Sequence, residues 1–90
     1  MKKRIDVVYS GNVQGIGFRF SINDIARALP IGGWVKNEPD GTVRIVAEGE
    51  EGRLKDFIDQ ICVAFPGYIN DSKISWEPGT GEFKDFGIKY

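Results

Sequence analysis

Ninety residues, 41% of them hydrophobic and 28% charged, supply one small core and leave no chain for a second. A formal charge of −1 excludes the basic footprint of a nucleic-acid or anionic-membrane binder, and the longest apolar run, Ile61 to Phe65, is far short of a membrane span. One cysteine and no histidine rule out an internal disulfide and leave a zinc site only carboxylates and one thiol, so no metal and a reducing, cytoplasmic setting are expected.

Met1-Lys2-Lys3-Arg4 opens like a signal peptide, but Asp6 interrupts it and no cleavable apolar region follows, so it reads as a solvated chain end. Ile5, Val7 and Tyr9 then alternate with Asp6, Val8 and Ser10, the pattern of a half-buried strand. The glycine-rich stretch "GNVQGIGFRF" (11–20) comes next. Phe18, Ile22, Ile25, Ala26 and Leu29 recur at helical spacing, which predicts an amphipathic helix from about 17 to 29, stopped by Pro30 and Gly32-Gly33. Trp34 to Glu38 and Thr42 to Glu48 read as two strands of a hairpin turning at Pro39-Asp40-Gly41, with Val43, Ile45 and Ala47 on one face. Leu54, Phe57, Ile58, Ile61, Cys62 and Phe65 trace a second helix, with Glu50 and Glu51 at its positive dipole end and Pro66-Gly67 closing it. Ile74 and Trp76 mark a fourth strand; Phe86, Ile88 and Tyr90 mark a fifth. The order predicts a single domain over 1–90 with a ferredoxin-like α+β sandwich: βαββαβ plus a C-terminal strand, an antiparallel sheet with two helices on one face.

The glycines fall between a strand and the N-terminus of a helix. There the backbone N–H groups are unpaired and the dipole is positive, and glycine permits the angles that turn several N–H groups to one point. Such a cradle suits a phosphate. Arg19 in the first turn costs about 0.3–1 kcal/mol against the dipole unless an anion binds beside it, and its guanidinium matches phosphate oxygens in pairs. A tight turn followed by a solvated arginine is the plainer reading. Val13 stands six residues before Arg19, as the cysteine does in the Cys-x5-Arg loop of cysteine-dependent phosphatases. No thiol or hydroxyl lies between Val13 and Phe18, and Cys62 reads as core, so chemistry here needs water as the nucleophile.

"GNVQGIGFRF", "GGWVKN", "PDGTV" and "AEG", in that order and spacing, resemble the acylphosphatase family. The resemblance covers about Val7 to Ile61 and extends weakly to "FGIKY". It implies hydrolysis of carboxyl-phosphate mixed anhydrides to a carboxylate and inorganic phosphate, with no metal and no cofactor. It implies Arg19 and Asn37 as the catalytic residues and a phosphate cradle of backbone N–H groups from Gln14, Gly15, Ile16, Gly17 and Phe18. Acyl phosphates carry a good leaving group, so positioning and charge stabilisation can supply most of the catalysis. Asn37, a donor and acceptor but a poor base, would orient the attacking water.

Taken alone, Asn37 reads as a residue bonding its own turn. Alternation puts Val35 and Asn37 on one face of their strand and Trp34, Lys36 and Glu38 on the other, which makes Lys36 a solvated charge. Glu38 would weaken anion binding if it reached the site. Trp34 and Trp76 read as packing residues. Pro66-Gly67, Tyr68 and Ile69-Asn70 depart from the family's Gly-Pro and small residue at the second helix's exit. Competing readings are an anion-binding domain without turnover and the acylphosphatase-like domain of larger enzymes that handle carbamoyl phosphate. The length, closing on a final strand, favours a free-standing protein, and a monomer is expected. "GIGFRF" looks superficially like an RNA-recognition strand, but its glycines precede a helix and the electrostatic footprint is missing. The expected partners are thus a small-molecule acyl phosphate and inorganic phosphate, with no nucleic acid and no membrane.

Overall fold

The computed structural model describes residues 2–90; Met1 lies outside them. Its elements run β1 (Lys2–Gly11), α1 (Phe18–Arg27), β2 (Gly32–Asn37), β3 (Val43–Glu50), α2 (Glu51–Ala64), β4 (Ile69–Pro78) and β5 (Phe86–Lys89). The strands form one sheet ordered β4-β1-β3-β2-β5. The pairs β1–β3, β1–β4 and β2–β3 are antiparallel, as expected. β5 instead joins β2 in parallel, with Gly33 opposite Phe86 and Val35 opposite Ile88, so the sheet is mixed at that edge. The cause is topological. β4 ends beside Lys3, at the end of the sheet where β2 begins, so the segment 79–85 crosses along that end and enters β5 in the direction of β2.

Both helices cover one face. Ile5, Val7 and Tyr9 of β1, Val35 of β2, Val43, Ile45 and Ala47 of β3, and Phe86 of β5 point into the core, opposite Phe18, Ile22 and Ala26 of α1 and Leu54, Phe57 and Ile61 of α2. These are the positions that the period-2 and helical patterns select, because each pattern records one-sided burial. α1 lies over β2 and β5, and α2 over β3 and β1. No helix among the described residues is long and apolar enough to cross a membrane.

Three readings change, those of Cys62, Trp76 and the basic chain end, while Trp34 packs as expected. Cys62 is exposed, because it lies one residue past Ile61 and turns out of the interface that Leu54, Phe57 and Ile61 fill. Trp76 is 42% exposed: its strand, β4, is an edge whose residues after Ile69 are all exposed. Trp34 packs on the uncovered face, beneath the Arg44 guanidinium (5.6 Å) and the Lys89 ammonium (4.8 Å). Lys2 is exposed, but it already belongs to β1, and Arg4 is not solvated. Its guanidinium pairs with Glu48 at 3.0 Å and also with Glu82.

Glu48 is the one buried charged residue among those described. Its carboxylate accepts the Thr80 hydroxyl (2.7 Å), the Thr80 N–H (3.0 Å), the Gly81 N–H (2.9 Å) and Arg4 (3.0 Å). Burial alone would raise its pKa. The bonds from Thr80, Gly81 and Arg4 outweigh that and hold it at about 2. Glu48 thereby pins the crossing segment that delivers β5.

Candidate active site

The glycine-rich stretch leaves the sheet through a bulge. The β1–β4 register shifts between Ser10 and Gly11, and Gly11 has φ 127°. A Cβ on Gly11 would lie 2.5 Å from the Tyr68 carbonyl oxygen, so only glycine fits. The Asn12 N–H donates to that same carbonyl at 2.9 Å, and Val13 is fully buried, which turns the loop back over the core.

Gly15 and Gly17 also have positive φ (77° and 78°), but no atom lies within 4 Å of where their Cβ would be. Their strain-free left-handed backbone is used in the open. Gly17 is the residue before α1, no side chain caps the helix, and its first turn has no acidic residue. The Ser21 N–H reaches the Gly17 carbonyl at 3.0 Å, so the N–H groups of Phe18, Arg19 and Phe20 have no partner inside the helix. The Phe18 ring anchors this end: it is buried edge-on against Tyr9 and Phe65, with centroids 5.7 and 4.7 Å apart. Such pairs contribute about 0.5–1.5 kcal/mol each beyond burial.

These groups border a cleft of about 250 Å³ lined by Val13, Gly15, Gly17, Phe18, Arg19, Phe20 and Asn37. No carboxylate, histidine or cysteine lines it. Larger hollows lie elsewhere: about 640 Å³ beside Glu48, and about 610 Å³ on the uncovered face by Asp6 and Arg44. Size does not select the site, because Glu48 and Arg27 in the first and the Asp6–Arg44 pair in the second already have partners.

Arg19 is different. Arg4, Arg44 and Arg53 pair with carboxylates, and Arg27 donates to the Phe86 carbonyl. Among the described residues Arg19 meets only the face of the Tyr90 ring, 5.1 Å from its centroid. Asn37, at the end of β2, is also incomplete: its Oδ1 is buried with no hydrogen-bond partner among the described residues. A buried amide oxygen left bare costs about 1–3 kcal/mol, which marks a place where a donor is missing. The cleft therefore offers a guanidinium and helix N-terminal N–H groups to an oxyanion, and an acceptor to one further donor such as water.

Of the sequence-predicted residues, the fold gathers Arg19, Asn37, Gly15, Gly17 and Phe18 around this cleft, Phe18 with its ring turned into the core. Ile16 (37% exposed) and Gln14 do not line it. The Gln14 side chain instead donates to the Glu38 and Thr42 carbonyls, both at 2.9 Å. Glu38 borders the hollow on the uncovered face, and Lys36 pairs in register with Lys89, away from the cleft. Two residues were missed. Phe20, 59% exposed, sits off the apolar stripe of α1, and an aromatic on a helix's polar side next to Arg19 was the available signal. Tyr90 shares the alternation of Phe86 and Ile88, which aims it at the face that α1 covers. Among the described residues, no three His, Cys, Asp or Glu side chains come together as a metal would need.

The family model for acylphosphatase matches residues 5–88. An acylphosphatase from Methanospirillum hungatei is 52% identical over 67 residues, 74% of each chain. The crystal structure of acylphosphatase from Bacillus subtilis matches with a TM-score of 0.90 at 31% identity, over 98% of this chain and 99% of that one. Full-length HypF, in a phosphate- and nucleotide-bound crystal structure, contains a similar stretch (TM-score 0.87, 30% identity) that covers 100% of this chain and 12% of the HypF chain. The family match spans nearly the whole chain and the fold agrees with it: the chain belongs to the acylphosphatase family.

Proposed function

We propose that the cleft hydrolyses acyl phosphates by direct attack of water, with no metal or cofactor. One observation carries this reading: the one arginine without an acidic or carbonyl partner among the described residues and an orphaned buried amide oxygen share a cleft at an uncapped helix N-terminus. The phosphoryl oxygens of the substrate lie against Arg19 and the N–H groups of the loop from Gln14 to Phe18. Asn37 Oδ1 accepts a hydrogen bond from water and holds it in line with the bond from phosphorus to the acyl oxygen. Water forms the new P–O bond, the acyl P–O bond breaks, and the carboxylate departs with the electron pair. The water's proton passes to a phosphoryl oxygen, so an acyl phosphate dianion and water give a carboxylate and dihydrogen phosphate. Asn37 takes no proton. The lining supports the metal-free form of the reaction, since it includes none of the hard anionic ligands that a catalytic divalent ion uses. The chain is read as one domain over 1–90, acting as a cytoplasmic monomer.

The test is hydrolysis of an aryl acyl phosphate in EDTA by wild type, Arg19→Ala and Asn37→Ala. Turnover in EDTA is expected for wild type. Each variant should lose roughly 10²–10³-fold or more in kcat/KM, with inorganic phosphate binding retained only in Asn37→Ala. Saturable phosphate binding that needs Arg19 but yields no turnover would make the chain an anion-binding domain instead.

A further inference from the structure

We infer that Gln14 is a positioning residue that fixes the distance between the phosphate cradle and Asn37; the inference rests on the reading of the site under Proposed function. The two halves of the site come from segments with no covalent reason to stay in register. The cradle belongs to the loop after β1, and Asn37 ends β2, where the chain turns through 38–42 into β3. Gln14 spans the gap. Its Nε2 donates one hydrogen to the Glu38 carbonyl and the other to the Thr42 carbonyl, at 2.9 Å each.

The turn does not need Gln14 to keep its own shape. The Glu38 N–H donates to the Thr42 carbonyl (2.9 Å), the Gly41 N–H to the Glu38 carbonyl (3.2 Å), and the Thr42 N–H to Asp40 Oδ1 (3.0 Å). Each carbonyl that Gln14 meets therefore already has one bond, and the Gln14 amide takes its second lone pair. Reversing the amide would set its oxygen against two carbonyl oxygens, so the donor orientation follows from chemistry. Gln14 adds nothing to the turn's internal geometry; it ties the turn to the loop. Because Glu38 directly follows Asn37, the tie acts on the residue whose oxygen is to hold the water. The side chain is exposed and lies outside the core, so its work is not burial. An in-line attack tolerates little drift, and about 1 Å of misplacement can cost on the order of 10²-fold in rate.

Gln14→Met keeps the length of the side chain while removing both donors and adding no charge. We expect kcat to fall about tenfold, with KM and the affinity for inorganic phosphate within about twofold of wild type. In an Asn37→Ala background the same substitution should cost nothing further, since its effect runs through Asn37. A wild-type kcat in Gln14→Met, or a second full loss in the Asn37→Ala background, overturns the assignment. A readout without turnover separates this from the catalytic reading. In wild type, inorganic phosphate should shift the backbone amide NMR signals of Glu38 and Thr42 as well as those of Gly15 to Phe18, whereas in Gln14→Met the response should stop at the loop. A response that still reaches Glu38 in that variant also overturns it, whether or not the protein turns over substrate.

Discussion

Glu48 and Asn37 lie at opposite ends of the β2–β3 ladder, where Gly32 faces Glu48 and Asn37 faces Val43, and their polar atoms are treated in opposite ways. At one end a buried carboxylate has a partner for nearly every lone pair, from Arg4, Thr80 and Gly81. At the other, a buried amide oxygen has none. Some glycines near each end differ in the same sense. A Cβ on Gly33, beside the Glu48 end, would fall 1.9 Å from the Val46 carbonyl oxygen, while Gly15 and Gly17 beside Asn37 open onto empty space. One end is satisfied and pins the crossing segment. The other is left incomplete, and in the proposed reading a ligand supplies the missing partner.

The largest effect should come from crowding the close contact at Gly33. Gly33 combines φ 144° with the contact above, so Gly33→Ala should cost about 4 kcal/mol or more and leave little folded protein, as measured by circular dichroism and urea unfolding. A normal unfolding midpoint would show that the two ends are equally yielding.

Next in size is the charge on Glu48. A carboxyl held at about 2 against an ordinary 4.5 corresponds to about 3 kcal/mol of folded-state preference. Because the folded pKa lies below the unfolded one, that stability is fully present above about pH 5 and drains away as pH falls through about 2. Glu48→Gln should therefore unfold at lower urea than wild type at pH 7, and the gap should close between pH 5 and pH 2. A gap independent of pH would assign the loss to packing. Activity per folded molecule should be unchanged at pH 7.

The smallest effect has the opposite sign. Asn37→Ala removes an unsatisfied buried oxygen, so stability should hold or rise by up to about 1 kcal/mol, even as hydrolysis is lost. A clear destabilisation would mean that Asn37 serves the fold as Glu48 does.

Burial on one side was legible in the amino-acid order, and partnership across the sheet was not. Ile5, Val7, Tyr9 and the Leu54–Phe57–Ile61 line announce their elements because each faces a single core. β4 gave only Ile74 and Trp76 as signals, since an edge strand exposed throughout has no alternation to write; it runs from Ile69 to Pro78. The parallel entry of β5 follows from where β4 ends, which periodicity does not encode. Arg4 looked like part of a basic chain end because its partner Glu48 lies 44 residues away. At the site, the glycines and Arg19 pointed to a cradle on local grounds, whereas Asn37 stood out only through resemblance. The Gln14 tie, formed between segments 24 and 28 residues apart, left no local trace at all.

The placement of β2 between β3 and β5 also sets a timetable for synthesis. The strand that ends in Asn37 is made early, yet one of its two hydrogen-bonded neighbours is residues 86–89. On a ribosome, β2 remains an open edge until those residues emerge, and closing it demands contacts between distant parts of the chain, the kind that form slowly. A nascent chain holding the whole loop and Asn37 is thus expected to stay catalytically silent until its last strand is docked.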